Sequence, residues 1–223
     1  MSEILSRKAG EDLLKKFFNQ YRAFNYKINE TIIQPGEQLT TIYFLEAGYV
    51  SQQVISENGE DFILNIFKPG SYFPISLVLQ GVKNEYFYET LTNVKIRKAP
   101  VNEVLVFLKN NPAAMEELLL RLSAGLNMLA NKTEALVFGD AGRKVAATLY
   151  FTAQRFGKTK KNIAQIDFPL THKRIATMTG ITRETVSIEM NKLKKQEVIS
   201  YKGKQVSIID MKKLHHFCLC DDT

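Results

Sequence analysis

The chain has few of the residues on which several classes of protein depend. It has 223 residues and no tryptophan, and its two cysteines, Cys218 and Cys220, both lie among the last six residues. No disulfide framework is therefore expected. No apolar run approaches the roughly 18 residues that a membrane-spanning helix needs. The first residues, MSEILSRKAGEDLLKK, also lack the apolar stretch of a signal peptide. We therefore expect a cytoplasmic protein that does not enter a membrane.

Histidine, cysteine and arginine are scarce in the first part of the chain. The first histidine is His172, no cysteine precedes Cys218, and no arginine lies between Arg22 and Arg97. Imidazole or thiolate ligands for a metal are thus missing there, which argues against a cupin-type enzyme. The final HHFCLC segment has four soft ligands, but adjacent residues rarely surround one ion without a scaffold. We predict no catalytic residues, no metal site and no cofactor.

The formal net charge of +7 is unevenly distributed along the chain. Residues 1–140 have 14 basic and 16 acidic side chains, a net charge of −2, whereas residues 141–223 have 16 and 7, a net charge of +9. This division indicates two domains, of which the second faces a polyanion. A basic face that is merely solvated is the plainer alternative.

Residues 28–98 have the pattern of short strands separated by turns. Glycines recur every 11 or 12 residues, at Gly36, Gly48, Gly59, Gly70 and Gly81. Pro35-Gly36, Asn58-Gly59 and Pro69-Gly70 suit the backbone angles of turns. The spacing predicts a sandwich, barrel or jelly roll over residues 1–111, preceded by an amphipathic helix around Glu11–Tyr21.

Residues 112–138 change to a helical period. Apolar residues alternate steps of four and three, with one polar interruption, at Met115, Leu119, Leu122, Leu126, Leu129, Thr133 and Leu136. This a/d seam predicts a parallel coiled-coil homodimer. The alternative is a helix that packs on its own barrel through Leu118 and Leu120, and both arrangements can coexist. The segment Phe138–Gly142 is predicted to be a hinge, followed by a helix over Gly142–Phe156 and a polar loop, GKTKKN.

Residues 171–210 predict a winged helix-turn-helix within a third segment, residues 139–223. A short helix, Thr171–Met178, is followed by a turn at Gly180 and a second helix with Thr182 as its N-cap. Val186, Met190 and Leu193 form the buried stripe of that helix. Lys202-Gly203 joins two strands into a hairpin, the wing. A helical hairpin whose charges are only solvated is the alternative.

A helix of this kind enters the major groove of double-stranded DNA with its N-terminal residues towards the bases. Arg183 can donate two hydrogen bonds to guanine, and Glu184 can accept one from cytosine. The outward face that we predict to meet bases consists of Arg183, Glu184, Ser187, Ile188 and Asn191. The side chains that suit DNA phosphates are Thr171, Lys173, Thr182, Thr185, Lys192, Lys202 and Lys204.

These segments resemble the Crp/Fnr family of transcription regulators over essentially the whole chain. The stretch ITRETVS matches the family's recognition-helix signature, and YFLEAGYV, RLSAGLNML and ALVFGDAGRKVA match its roll and long helix in pattern. The resemblance implies an α+β protein: an N-terminal β-roll of the cyclic-nucleotide-binding kind, a long dimerisation helix and a C-terminal winged helix-turn-helix. It also implies a homodimer on a pseudo-palindromic operator, with RNA polymerase as a further partner.

Two departures from the family pattern bear on specificity and control. The family usually has a second arginine where this chain has Ile188, which predicts an operator that differs at one base. In the cyclic-nucleotide members an arginine and a small hydroxyl residue hold the phosphate, but this chain has Glu85-Tyr86-Phe87 there. Aromatic residues dominate that region and form a possible effector pocket, or else core: Tyr72, Phe73, Tyr86, Phe87 and Tyr88. Cyclic AMP control is therefore not expected, and a regulator that binds no effector at all remains an alternative.

Overall fold

The computed structural model describes residues 2–57, 59–160 and 163–218, with side chains from residue 8 onward except that of Lys160. Asn58 of one predicted turn and Cys220 of the HHFCLC segment lie outside the described residues. The chain divides into two compact units. The first comprises Met1–Val54 and Asn65–Leu126, and the second comprises Ile55–Leu64 and Asn127–Thr223.

The first unit contains most of an antiparallel β-roll flanked by helices. Two four-stranded sheets have the orders β1-β8-β3-β6 and β2-β7-β4-β5. Their strands are β1 Ala23–Tyr26, β2 Thr31–Ile33, β3 Thr41–Ala47, β4 Val50–Ile55, β5 Asp61–Phe67, β6 Tyr72–Phe73, β7 Phe87–Thr90 and β8 Val94–Pro100. The helices are α1 Ser2–Phe18, α2 Ile75–Gln80 and α3 Val101–Asn110. Helix α1 thus begins and ends earlier than predicted, and the repeated turns do correspond to a roll.

The turn at Gly48 shows why the recurrent glycines matter. Its φ is +84°, a left-handed conformation that side chains rarely adopt. A Cβ at this position would lie 2.3 Å from the carbonyl oxygen of Asn93. Gly36 has nearly the same φ, +83°, but open space around it. The close approach between turns therefore requires glycine at position 48, whereas position 36 requires it only for its backbone angle.

The long helix α4 spans Pro112–Phe138, as the heptad pattern predicts. Ala114 and Leu118 are buried in a core cluster with α1 residues such as Leu14 and Phe18. Leu119 and Leu126, on the predicted seam, are 61% and 67% exposed. In the first unit the helix therefore packs one face on the roll and leaves apolar seam positions uncovered.

The second unit contains a helical layer and a four-stranded sheet of order β11-β12-β10-β9. Its elements are α5 Ala141–Phe156, β9 Gly157–Lys160, β10 Ile163–Ile166, α6 His172–Thr179, α7 Arg183–Lys195, β11 Ile199–Lys202, β12 Gln205–Ile208 and α8 Met211–His216. The predicted polar loop after α5 is wrong in its first four residues, because they pair with β10 as an edge strand. None of the described helices combines the length and hydropathy of a bilayer-spanning segment.

Candidate nucleic-acid interface

Helices α6 and α7 form the predicted helix-turn-helix, and each begins at a threonine cap. The Thr171 hydroxyl accepts a hydrogen bond from the backbone N–H of Arg174 at 3.1 Å, and Thr182 accepts one from that of Thr185 at 3.2 Å. Gly180 ends α6 with a φ of +68°. Such a left-handed residue allows the tight turn between the helices. The two hydroxyls that the sequence suggests for phosphate contacts therefore also hold the helix starts.

Helix α7 has the two faces that the sequence predicts. Val186, Met190 and Leu193 are buried. On the other side, Arg183 and Glu184 are exposed at the N-terminal end, and Ile188 is 57% exposed. Of the remaining predicted base-reading residues, Asn191 is exposed and Ser187 is half-buried. Glu184, Ile188 and Asn191 therefore lie on the exposed side of α7, Ser187 lies at its margin, and Arg183 is exposed in the first turn, above the buried stripe.

The wing is a hairpin of β11 and β12, with Lys202 opposite Gln205. Its two-residue turn is Gly203-Lys204, one position later than predicted, because the φ of Gly203 is +61° and Lys202 still belongs to the strand. The backbone N–H of Leu170, just before α6, donates to the carbonyl of Lys204 at 2.8 Å. This bond fixes the wing tip beside the start of the helix-turn-helix.

A concavity of about 360 Å³ lies between the wing and the two helices. Lys173, Arg183 and His172 contribute to its lining, together with Tyr201 and Gly203 of the wing. Sequence reasoning missed Tyr201, whose phenol donates a 2.8 Å hydrogen bond to Asn191 Oδ1. The alternation of the wing strand could have indicated a half-buried aromatic residue there, but not its partner.

The predicted phosphate-binding lysines have exposed side chains, and one of them, Lys173, lines this concavity. Lys173 is at the start of α6, and Lys202 and Lys204 are at the wing tip. Lys192 lies on α7, where its ammonium is 2.8 Å from Glu189 Oε1. Exposed pairs of this kind contribute little stability, so the lysine is readily redirected to a phosphate.

A second pair of basic residues in this unit, Lys132 and Arg155, is not among the predicted DNA contacts. Lys132 donates to the carbonyl of Ile63 at 3.1 Å, and its ammonium lies 5.4 Å from the centre of the Phe62 ring. Burial, reinforced by the positive charge of Arg155, lowers the pKa of Lys132 to about 8. Burial also lowers the pKa of Arg155 to about 10. The distribution of charge along the sequence does not indicate that the Lys132 and Arg155 side chains are desolvated.

The aromatic residues that the sequence offers as an effector pocket are divided between core and partly exposed positions. Tyr72, Phe73 and Tyr88 are buried. The rings of Phe73 and Tyr88 stack with centroids 5.5 Å apart, Tyr43 stacks on Phe73, and Phe67 stacks on both rings of the pair. These three residues are thus packed among other rings of the roll, and the assignment of the five residues to an effector pocket stays a prediction. Tyr86 and Phe87 are half-buried.

Cys218 and His215 of the C-terminal segment have structural contacts. Cys218 is buried, its thiol lies 3.1 Å from the carbonyl of Leu214, and burial raises its pKa to about 12. The His215 ring lies against Tyr150, with centroids 4.7 Å apart. Within residues 2–57, 59–160 and 163–218, no group of three histidine, cysteine or acidic side chains is arranged to hold a metal ion.

Comparisons with known proteins agree with this architecture. Residues 143–217 match the Crp-like helix-turn-helix domain, and residues 23–111 match the cyclic nucleotide-binding domain. The chain is 29% identical to the global nitrogen regulator of Nostoc sp. strain PCC 7120 over 185 residues, which cover 82% of this chain and 83% of the relative. It is 24% identical to the cAMP-activated global transcriptional regulator CRP of Escherichia coli O157:H7 over 207 residues, 92% of this chain and 98% of the relative.

Solved structures show the same fold. The transcriptional regulator TTHA1359 of Thermus thermophilus, of the CRP/FNR family, superposes with a TM-score of 0.69 at 23% identity, covering 88% of this chain and 98% of the other. The two matched domains, the relatives and the capped helix-turn-helix with its wing thus lead to one conclusion. The chain belongs to the Crp/Fnr family of DNA-binding transcription regulators.

Proposed function

We propose that this regulator acts as a homodimer that reads a pseudo-palindromic operator, with residues 1–111 as sensor, 112–138 as dimerisation helix and 139–223 as DNA reader. The observation that carries the proposal is helix α7, with Arg183 and Glu184 exposed at its capped N-terminal end. A recognition helix contacts base edges with such N-terminal residues. Two copies related by a two-fold axis would read half-sites about 34 Å apart, one turn of DNA.

The dimer is supported by the uncovered seam of α4. Met115, Leu119, Leu126 and Leu129 are exposed in one chain, and Leu122 and Leu136 are half-buried. Thr133 interrupts the seam, but its hydroxyl is uncharged and donates to the carbonyl of Leu129 at 2.8 Å, which satisfies it within the helix. A row of exposed leucines on one helix favours contact with a second copy rather than with water.

The base-reading assignments follow from the exposed face of α7. Arg183 would donate two parallel hydrogen bonds to a guanine, and Glu184 would accept from the amino group of a cytosine. Ile188 cannot donate or accept, so it would touch a thymine methyl group instead. Strong selection for guanine at the base facing Ile188 would contradict this part of the proposal.

The phosphate contacts would come from both sides of the concavity. The lysines at the start of α6, on α7 and at the wing tip all have exposed side chains. Affinity should then fall steeply with salt, because each neutralised phosphate releases counterions.

Selection from a randomised operator library, followed by binding measurements on the enriched site, tests the proposal. Arg183→Ala should weaken binding by about 1–3 kcal/mol, roughly 5- to 150-fold, and relax the preference at one base of each half-site. Lys109→Ala, an exposed change on α3 of the roll, is the matched control and should leave affinity and preference unchanged. Enrichment of no half-site, or equal effects of the two substitutions, would contradict base reading by α7.

For the sensor we propose that cyclic AMP is not the effector. The stacked rings of Tyr43, Phe67, Phe73 and Tyr88 fill part of the roll interior. In the loop before β7, Asn84 is buried and donates from Nδ2 to the carbonyls of Gln34 and Tyr86 at 2.7 and 2.8 Å. The buried polar side chain of this loop is therefore a neutral amide that is already hydrogen-bonded to the backbone.

Two alternatives for the sensor remain distinct. One is a constitutive regulator whose roll binds no effector, and the other is a cyclic-nucleotide-responsive member, as the name of the Escherichia coli relative would suggest. Thermal-shift measurements with cyclic AMP, fatty acids and aromatic metabolites separate them. Stabilisation by cyclic AMP alone would contradict the proposal, and stabilisation by none of the compounds would favour the constitutive regulator.

We also propose that the protein acts in the cytoplasm, contacts RNA polymerase and has no catalytic activity.

The break between α4 and α5 is short, because α4 ends at Phe138 and α5 begins at Ala141. Asp140 caps α5 by accepting a hydrogen bond from the backbone N–H of Arg143 at 2.8 Å. Effector control would act by rotation at this break. A substitution of Gly139 is a poor test of rotation, because an added Cβ would lie 2.4 Å from the carbonyl oxygen of Ala135.

A further inference from the structure

The wing and the recognition helix are joined by one side-chain hydrogen bond that bears on base reading. The phenol of Tyr201, on β11, donates to Oδ1 of Asn191, on α7, over 2.8 Å. Asn191 is exposed and lies two helical turns beyond Arg183, on the face proposed to meet bases. The contact therefore joins a residue outside the recognition helix to one of its candidate base readers.

Tyr201 is itself held on three sides. It pairs with Val206 across the hairpin. The Lys194 ammonium lies 4.7 Å from the centre of its ring, and the His172 ring meets it edge-on with centroids 5.7 Å apart. Its side chain is half-buried at the wall of the concavity. A phenol held in this way fixes the direction of the amide that it contacts.

The direction of the amide decides which bases Asn191 can read. A free asparagine recognises adenine by directing its oxygen at the amino group and its nitrogen at N7 of the same base edge. Here the oxygen is directed at the wing, so the amide nitrogen, which only donates, is the group left for the groove. A donor alone finds two acceptors, N7 and O6, on guanine and the O4 atom on thymine, whereas on adenine it finds only N7, beside an amino group that competes with it.

We propose that Tyr201 is a specificity-determining residue that acts through Asn191, turning an adenine-reading side chain into a hydrogen-bond donor for guanine or thymine. Tyr201 is a positioning residue in this scheme and touches no base. The inference rests on the proposed function, because it takes α7 as the base-reading helix.

The test is operator selection with the full-length protein and three variants. Asn191→Ala identifies the base that Asn191 reads, as the position whose preference disappears. The unsubstituted protein should select guanine or thymine there, and Tyr201→Phe, which keeps the ring and removes the hydroxyl, should raise the relative selection of adenine at least fivefold. Tyr150→Phe is the matched control, since that phenol accepts from Gln154 Nε2 at 2.8 Å on α5, and it should leave the preference unchanged.

The outcomes separate this inference from the proposed function. Selection of adenine by the unsubstituted protein, an unchanged preference in Tyr201→Phe, or no preference lost in Asn191→Ala would each overturn the inference. A guanine preference that depends on Arg183 would still stand in those cases. If no half-site is enriched at all, the proposed function itself fails. A uniform loss of affinity in Tyr201→Phe, without a change in preference, would show that the phenol merely supports the wing, which also overturns the inference.

Discussion

Leu126→Ala should weaken self-association of this protein without unfolding its long helix. Leu126 lies on the seam of α4 and is 67% exposed in the single chain. Alanine is at least as good a helix former as leucine, so the substitution leaves the helix intact. The change therefore perturbs the proposed interface rather than the fold.

The expected magnitude follows from the exposed area. Complete burial of a leucine side chain contributes about 1.5–3 kcal/mol, and two-thirds of this side chain is available for burial by a partner. Most of that contribution is lost on truncation to alanine. Because a two-fold interface contains each residue twice, the dimer should lose about 2–3 kcal/mol. That corresponds to a roughly 30- to 150-fold larger dissociation constant.

Sedimentation equilibrium over a range of concentrations measures this constant. Leu120→Ala is the matched control, since Leu120 lies on the same helix and is 42% exposed but falls outside the seam. It should change the dissociation constant by less than threefold. Equal weakening by both substitutions, or a protein that is monomeric before any substitution, would refute the assignment of the seam.

Three further predictions concern stability, each measured by chemical denaturation. Lys132→Met should stabilise the protein by about 2 kcal/mol at pH 7, because the lowering of the Lys132 pKa from 10.5 to about 8 corresponds to about 3.4 kcal/mol and the lost hydrogen bond to the Ile63 carbonyl offsets about 1 kcal/mol of it. The destabilisation by the charged lysine is complete below pH 8 and fades as the pH rises towards 10.5. A difference in unfolding free energy between the Met variant and the native protein that grows over this range would contradict the prediction. Gly48→Ala should lower the free energy of unfolding by about 3 kcal/mol or more, since its Cβ would meet the carbonyl of Asn93. Gly36→Ala should lower it by only about 1–2 kcal/mol, because only its backbone angle disfavours a side chain. Equal losses of stability would disprove the steric argument. Thr182→Ala should cost about 1 kcal/mol through its lost cap, with Thr182→Ser close to the unsubstituted protein, and a serine as destabilising as alanine would exclude capping as the cause.

The elements that sequence could predict are those whose signal is local. The cap of α7 at Thr182, its buried stripe and the left-handed Gly180 depend on neighbours within a few residues, and the structure confirms them. Strand β9 was missed because its residues, GKTK, carry no hydrophobic alternation and become a strand only by pairing with β10. Edge strands rich in lysine are typical of protected sheet edges, so the composition that hid this strand also suits its place.

The site shows the same limit at the level of side chains. The outward face of α7 follows from helical periodicity, but the bond between Tyr201 and Asn191 joins two elements whose approach no local pattern encodes. The aromatic residues of the roll show the converse. Alternation along strands cannot tell whether Phe73 and Tyr88 line a cavity or stack on each other, since that depends on which strands face one another.

The column of stacked rings in the roll also makes the protein its own optical reporter. Because the chain has no tryptophan, its near-ultraviolet circular dichroism comes chiefly from tyrosine and phenylalanine, and Tyr43 and Tyr88 lie in asymmetric, stacked surroundings. A molecule that enters the roll among these rings should change their contribution to the spectrum. Effector binding can thus be followed on unlabelled protein, in the absence of DNA.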